Sequence, residues 1–315
     1  MPQAARHTPV IWFDSVHRAP SEPPSAELSF TVPAGQLAAV VSPEPSVAAS
    51  VADLATGLAA PATGTVRLFG NDPLAALRDG RAGAVSRRCG LLQQVTVSEL
   101  LSIVGELAGD RCPVADLAER AGVGGLLRRR TESLTAGEQA RVSLAVALAG
   151  APELLILEEP ADGLDEAERA ELLVPVRAEA AAGRTVLLVT CDIDTVSELA
   201  DRFLIVDRSG LVADAPAAGL GAGSTAHTLA FYAPTATEDL LRELPGTLRI
   251  RLSQGCARLS TTDVAATLAG LRDAGIEPRR LEVGDGGVAD RYLRLVEPGG
   301  GQASGAGETT EGAAR

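Results

Sequence analysis

The sequence predicts an α/β protein: a mainly parallel sheet covered by helices on both faces, followed by a small α+β domain. Three observations carry that expectation. Leu154–Leu157, Thr185–Thr190 and Phe203–Val206 are almost continuous apolar runs of strand length, as expected for strands buried on both faces. Helix-forming stretches at 165–181 and 193–200 separate them, and strand–helix–strand alternation is the usual route between parallel neighbours. The 315 residues are 46% hydrophobic and 22% charged, so a substantial core can be buried; aromatics supply only 3%, which leaves Leu, Val and Ala to fill it.

Val10–Phe13 and Leu28–Val32 read as strands on either side of a Pro/Ser/Glu loop at 19–25. Leu37–Val41 is a short apolar run closed by turn residues, the pattern of a buried parallel strand. A helix follows over about 47–58, then a strand within Gly64–Gly70. Residues 97–130 are helical by periodicity, with Leu100, Leu101, Val104 and Leu107 along one stripe. Ser133 or Thr135 caps a long helix reaching about Ala149. After the alternating stretch, Leu211–Ala213 is a further strand, and the Gly/Ala/Ser run at 217–226 is a linker. Strand 247–252, helix 261–274, strand 278–284 and helix 288–295 make up the small domain. The expected division is 1–216, a linker at 217–226, an α+β domain at 227–296 and a disordered tail at 297–315.

Composition excludes several classes of function. All 28 basic side chains are arginines, so Schiff-base chemistry, a lysine general base and the lysine of a phosphate loop are ruled out. A formal charge of −13 argues against nucleic acid as a partner, because nucleic-acid binders carry a basic stripe. Arg128–Arg129–Arg130 reads as a solvated turn. Cysteines stand alone at 89, 112, 191 and 256, with no CxxC pair and no histidine nearby in sequence, which fits reduced thiols rather than a zinc site or disulfide framework. The N-terminus has no apolar signal core, and no uninterrupted apolar run approaches about 18 residues, so a role at a membrane would come through a partner.

Four short segments, in their order, resemble the ATP-binding subunit of ATP-binding-cassette (ABC) transporters. They are Leu91–Leu92–Gln93–Gln94; Leu134–Thr135–Ala136–Gly137–Glu138 with Gln139 and Arg141; Leu154–Leu155–Ile156–Leu157–Glu158–Glu159–Pro160; and Ala161–Asp162–Gly163–Leu164–Asp165. The similarity spans about 9–215 and is most specific over 134–165. The ending Val288–Leu295 is similar to the C-terminal extension of bacterial drug-export ATPases made as separate chains. The resemblance implies an ABC-type nucleotide-binding domain with a helical subdomain at about 95–133, and ATP and Mg²⁺ as the family's ligands. It also implies a membrane-spanning transporter subunit and a second, intact cassette as partners in a dimer, with the chain held peripherally at the cytoplasmic face of the cell membrane.

In that family a glycine-rich loop cradles phosphates with backbone N–H groups, a lysine reaches the β and γ groups, and a Ser or Thr holds Mg²⁺. Counting back from Thr56–Pro61, the loop falls on Ser42–Ser50. Ala48 then replaces the lysine and Ala49 the Mg²⁺-binding hydroxyl, while Ser50 points elsewhere on a helix. Val47 and Pro45 replace glycines, costing close approach and one backbone donor, and Glu44 adds a carboxylate where an anion would lie. The adenine-stacking aromatic falls at Ala19–Pro20, and the switch histidine is Cys191, a weak donor. Glu159 matches the residue that polarises the attacking water, here expected to be vestigial. Glu158 replaces the Mg²⁺-ordering aspartate, one methylene longer, and Gln94 matches the Mg²⁺-sensing glutamine, with an unusually short segment between it and Val97. Thr135, Ala136, Gly137 and Glu138 form the signature, which acts on a partner's nucleotide in trans, and Asp165 completes the set.

A homodimer would have two disabled phosphate loops, whereas a heterodimer would join an intact partner's loop to Thr135 and Gly137. Three readings follow: a degenerate exporter subunit that does not turn over ATP alone, an atypical but active transport ATPase, and a cassette-derived scaffold or regulator outside transport. Whether the chain is an enzyme is left open among them.

Overall fold

The apolar runs of the central strands are buried because their two faces meet two different cores. Ala38 and Val40 face one cluster while Leu37, Ala39 and Val41 face the other; Leu154 and Ile156 divide from Leu155 and Leu157 in the same way. This computed structural model describes residues 9–18, 27–109, 111–197, 199–217, 227–253 and 255–285. Ala19–Pro20, residues 218–226 of the expected linker, the expected helix at 288–295 and the 297–315 tail lie outside the described residues.

In chain order the elements are β1 (Pro9–His17), β2 (Leu28–Pro33), β3 (Leu37–Val41), α1 (Pro45–Thr56), β4 (Thr63–Leu68), α2 (Pro73–Arg78), β5 (Ala82–Val85), α3 (Val97–Leu107), α4 (Val114–Arg120), α5 (Ala136–Leu148), β6 (Leu154–Glu158), α6 (Glu166–Ala181), β7 (Thr185–Thr190), α7 (Ile193–Val196), β8 (Arg202–Asp207) and β9 (Gly210–Pro216). They are followed by β10 (His227–Tyr232), α8 (Glu238–Arg242), β11 (Thr247–Ser253), β12 (Cys256–Thr261), α9 (Val264–Asp273) and β13 (Arg279–Asp285). The central sheet runs β5-β6-β7-β3-β8-β9, parallel except for β9. Helix α1 and the antiparallel sheet β2-β1-β4 cover one face, where Phe13 stacks on Phe30 with centroids 4.4 Å apart. Helices α3 to α6 cover the other. A second antiparallel sheet, β11-β12-β10-β13, packs on α8 and α9 around its own core of Leu229, Phe231, Leu241, Leu259 and Leu271.

Several expectations need correction. The expected helix over 97–130 is two helices and a short 3₁₀ turn, because Gly109 takes a left-handed φ of 81° and Pro113 sets the entry to α4. Helix α1 starts at Pro45 rather than 47, with proline in the first turn where it is favoured, and ends at Thr56 before the left-handed Gly57. The helix at 193–200 stops at Val196. Strands β5, β10 and β12 and helices α2 and α8 were not anticipated. In β5 the apolar signal is weak because Gly83 has to be glycine: a Cβ there would stand 2.0 Å from the carbonyl oxygen of Ala147 as α5 packs on the strand.

Candidate functional site

The C-terminal ends of β3, β6 and β7 converge, which is where open α/β sheets receive ligands. Between β3 and α1 only Ser42, Pro43 and Glu44 remain as connection. Ser42 is fully buried, its N–H donating to Thr190 O (3.1 Å) and its hydroxyl accepting from Glu44 N (3.2 Å). The next N–H groups turn inward: those of Val47 and Ala48 both donate to the carbonyl of Glu44, at 3.0 and 3.1 Å. The Pro45 nitrogen has no hydrogen to offer. Glu44 pairs with Arg208. Val47 and Ala48 are buried at 6% and 1% exposure within the core beneath α1, Ala49 is half-buried, and the Ser50 hydroxyl donates back to Val47 O (2.9 Å).

The two carboxylates ending β6 point apart. Glu158, 3% exposed, accepts from the Ser86 hydroxyl (2.8 Å) and Arg87 N (3.1 Å) beyond β5. Glu159 has a left-handed φ of 43°, donates its N–H to Val189 O (2.8 Å) and folds its carboxylate onto the end of β7. There it accepts from Thr190 Oγ1 (2.7 Å) and Cys191 N (2.6 Å). Burial pushes the Cys191 thiol up to about 12, and its hydrogen bond and charge contact with Glu159 add to the shift. The thiol is therefore protonated at neutral pH.

Glu159 and Cys191 share a cleft of about 300 Å³ with Pro45, Arg87, Asp162 and Arg169. Two ion pairs line it, Arg87 with Asp162 at 3.0 Å and Arg169 with Asp192 at 3.1 Å. Asp53 on α1 lies nearby, with its side chain 8% exposed and one oxygen paired to Arg88 (2.8 Å). Its other oxygen is buried without a partner. Burial raises its pKa, the charge of Glu158 acts in the same direction, and Arg88 opposes both.

The remaining sequence-derived residues lie elsewhere. Gln94 is exposed, with φ 64°, and takes part through its backbone: its N–H donates to Glu132 (3.1 Å) and its carbonyl accepts from Arg130 (3.3 Å). It does not line the cleft; the side chain that the end of β5 brings there is Arg87. Sequence reasoning missed Arg87 because it missed β5. Thr135 caps α5 in a capping box with Glu138, and Asp165 caps α6 in another with Glu168. Ala136 is the first residue of α5. The two caps meet: Thr135 Oγ1 lies 3.5 Å from Glu168 Oε1, and a Cβ on Gly137 would stand 2.9 Å from the same carboxylate. Glu168 thus sets a negative charge against Thr135 and Gly137. Glu168, Asp192 and Arg169 gave no signal in sequence, since each looks like an ordinary polar residue of a helix or turn. Among the described residues, no group of three or more His, Cys, Asp or Glu is arranged to hold a metal ion.

The chain matches the family model described as ABC transporter over residues 26–162. It is 30% identical over 199 residues to the daunorubicin/doxorubicin resistance ATP-binding protein DrrA of Streptomyces peucetius, covering 59% of each chain. It is 31% identical over 228 residues to Nod factor export ATP-binding protein I of Paraburkholderia xenovorans, covering 69% of this chain and 73% of that protein. Among solved structures, a nucleotide-free ATP-binding cassette from an ABC transporter superposes with a TM-score of 0.58 at 18% identity, over 66% of this chain and 92% of the other. A bacterial Atm1-family ABC exporter with ATP bound gives 0.56 at 22% identity, over 68% and 40%. At such identities the structural likeness establishes the fold. On these sequence matches, this chain belongs to the ABC transporter family as a relative of its ATP-binding subunits.

Proposed function

We propose that the chain is a degenerate cassette subunit of an ABC exporter that neither binds nor hydrolyses ATP alone and works by pairing with an intact cassette or with membrane subunits. The observation that carries this is the turn between β3 and α1. A phosphate loop needs free N–H groups facing outward. Here Val47 and Ala48 spend theirs on the Glu44 carbonyl, Pro45 has none, and the lysine position is an alanine in the core. The Glu44 carboxylate beside this turn is paired with Arg208, so the turn offers no net positive charge to an anion. These residues do not fit Mg-ATP in the family's manner, and Glu159 is held by Thr190 and Cys191 at the end of β7, so its carboxylate has no bound nucleotide to act on.

Export as the process is supported by the drug-resistance and Nod factor export names of the relatives. Attachment through a membrane-spanning subunit follows from the family, and no described helix is long and apolar enough to cross a membrane. Calorimetric titration of Mg-ATP, then Mg-ADP, into the purified chain should give no detectable heat at hundreds of micromolar. Low-micromolar binding would overturn the proposal in favour of an atypical ATPase, and turnover lost in Glu159→Gln would establish that alternative. Adding the chain to an intact cassette of the same exporter should change that partner's ATPase rate.

A further inference from the structure

The outer face of the second sheet contains a cavity of about 640 Å³ that no step of cassette chemistry uses. Along β10, Leu229 and Phe231 point into the core, so Ala230 and Tyr232 point outward. Ala230 is paired with Arg258 on one side and Glu282 on the other, and its small side chain leaves a hollow between them. The register between β10 and β13 then slips: Ala230 pairs with Glu282 but Tyr232 with Arg279, which places one extra residue in β13. Arg280 stands in that bulge with a left-handed φ of 53°, a conformation that costs energy for a non-glycine residue. In a regular strand neighbouring side chains face opposite ways, yet Arg279 and Arg280 both line this cavity.

Arg258, Arg279 and Arg280 have no ion-pair partner among the described residues, in a chain whose other arginines commonly do. The cavity therefore combines three guanidinium groups that make no direct ion pair among the described residues, two carboxylates (Glu166 and Glu282), the side chain of Tyr232 and a small apolar floor, and its lining keeps an excess of positive charge. Its far wall is Glu166, the first residue of α6. We infer that this is a binding site for an amphipathic organic anion with a flat apolar body and one carboxylate or similar group. The guanidinium fork matches a carboxylate in two parallel hydrogen bonds, and the aromatic ring takes the apolar body. Because the wall is the start of α6, a bound ligand touches the helix whose cap and Glu168 stand beside the signature. The site is independent of whether the phosphate loop holds nucleotide.

Fluorescence titration of the full chain with 1-pyrenebutyrate and with neutral 1-pyrenebutanol separates charge recognition from simple apolar adsorption. The carboxylate should bind at least about tenfold more tightly, as a charge-assisted pair implies. In Arg258→Gln/Arg280→Gln that preference should disappear, with an unchanged circular dichroism spectrum and melting temperature. Should that double variant fold poorly, Tyr232→Ala serves instead and should weaken both probes by a similar factor. Hydrogen exchange should slow at the first turn of α6 when pyrenebutyrate is added. Equal affinity for the two probes, or a preference that survives the arginine substitutions, would overturn the inference.

Discussion

At the level of single residues, the departures from the cassette pattern were legible wherever a side chain was absent, and illegible wherever a side chain had been recruited. Ala48 and Cys191 announce themselves by identity; the inward turn of the Val47 and Ala48 N–H groups does not, because it depends on where α1 begins. Under the proposed function, lysine loss is thus only part of why the turn would not hold nucleotide. Ala48→Lys should leave Mg-ATP binding undetectable by calorimetry and should lower stability by about 1–3 kcal/mol, since a long cation replaces a methyl group at a 1% exposed core position. Cys191 provides a second test. With burial and Glu159 holding the thiol at about 12, its thiolate fraction at pH 8 is on the order of 10⁻⁴, against roughly a quarter for an ordinary thiol. Iodoacetamide should modify Cys191 at least about a hundredfold more slowly than the exposed Cys89 and Cys256, read by mass spectrometry. Glu159→Gln removes the neighbouring charge, lowers the pKa and should speed the reaction.

At the level of elements, the parallel strands β3, β6, β7 and β8 were read correctly because each is buried on two faces and carries a continuous apolar run. The failures have a common cause: elements whose apolar content is set by a neighbour rather than by period. Strand β5 uses Gly83 to admit α5, and β12 sets only Ala257 and Leu259 among Cys256, Arg258 and Ser260, too few apolar residues to mark a strand before its neighbours are in place. Helix α1 carries a testable consequence of its altered start. Asp53 lies on its buried side, beside Glu158, with one oxygen lacking a partner. Its folded-state pKa is raised above the unfolded value, so its protonated form favours folding below the unfolded pKa. That contribution is lost as pH rises through the folded pKa. Asp53→Asn keeps the shape and an acceptor for Arg88 while removing the buried charge. The variant should melt at a higher temperature than the native chain at pH 7, and the gain should shrink as the pH falls through the carboxylate range. A lower melting temperature for the variant at pH 7, with the loss shrinking as the pH falls, would show that the Arg88 pair, not desolvation, dominates there.

At the scale of the whole molecule, the division near 217–226 was expected from composition, and the packing supplies a physical reason to propose it. The apolar cluster of the second sheet contains only residues between Leu229 and Ile276, and the two clusters flanking the central sheet draw none from that range. Cooperativity follows shared buried surface, so the two parts should unfold as separate units, their apolar cores sharing no residue and Glu166 being, among the described residues, the one residue of the central part that lines the cavity on the second sheet. Differential scanning calorimetry of the full chain should resolve two transitions, and a chain ending at Ala217 should retain the cassette transition within a few degrees. By contrast, removing strand β9 as well should lower it strongly, because Arg202 of β8 is held between Asp214 of β9 and the carbonyl of Thr31 in β2. A single transition that disappears on truncation at Ala217 would mean that the second sheet is part of the cassette's folding unit. The organic-anion site would then act on α6 through shared stability rather than through local contact.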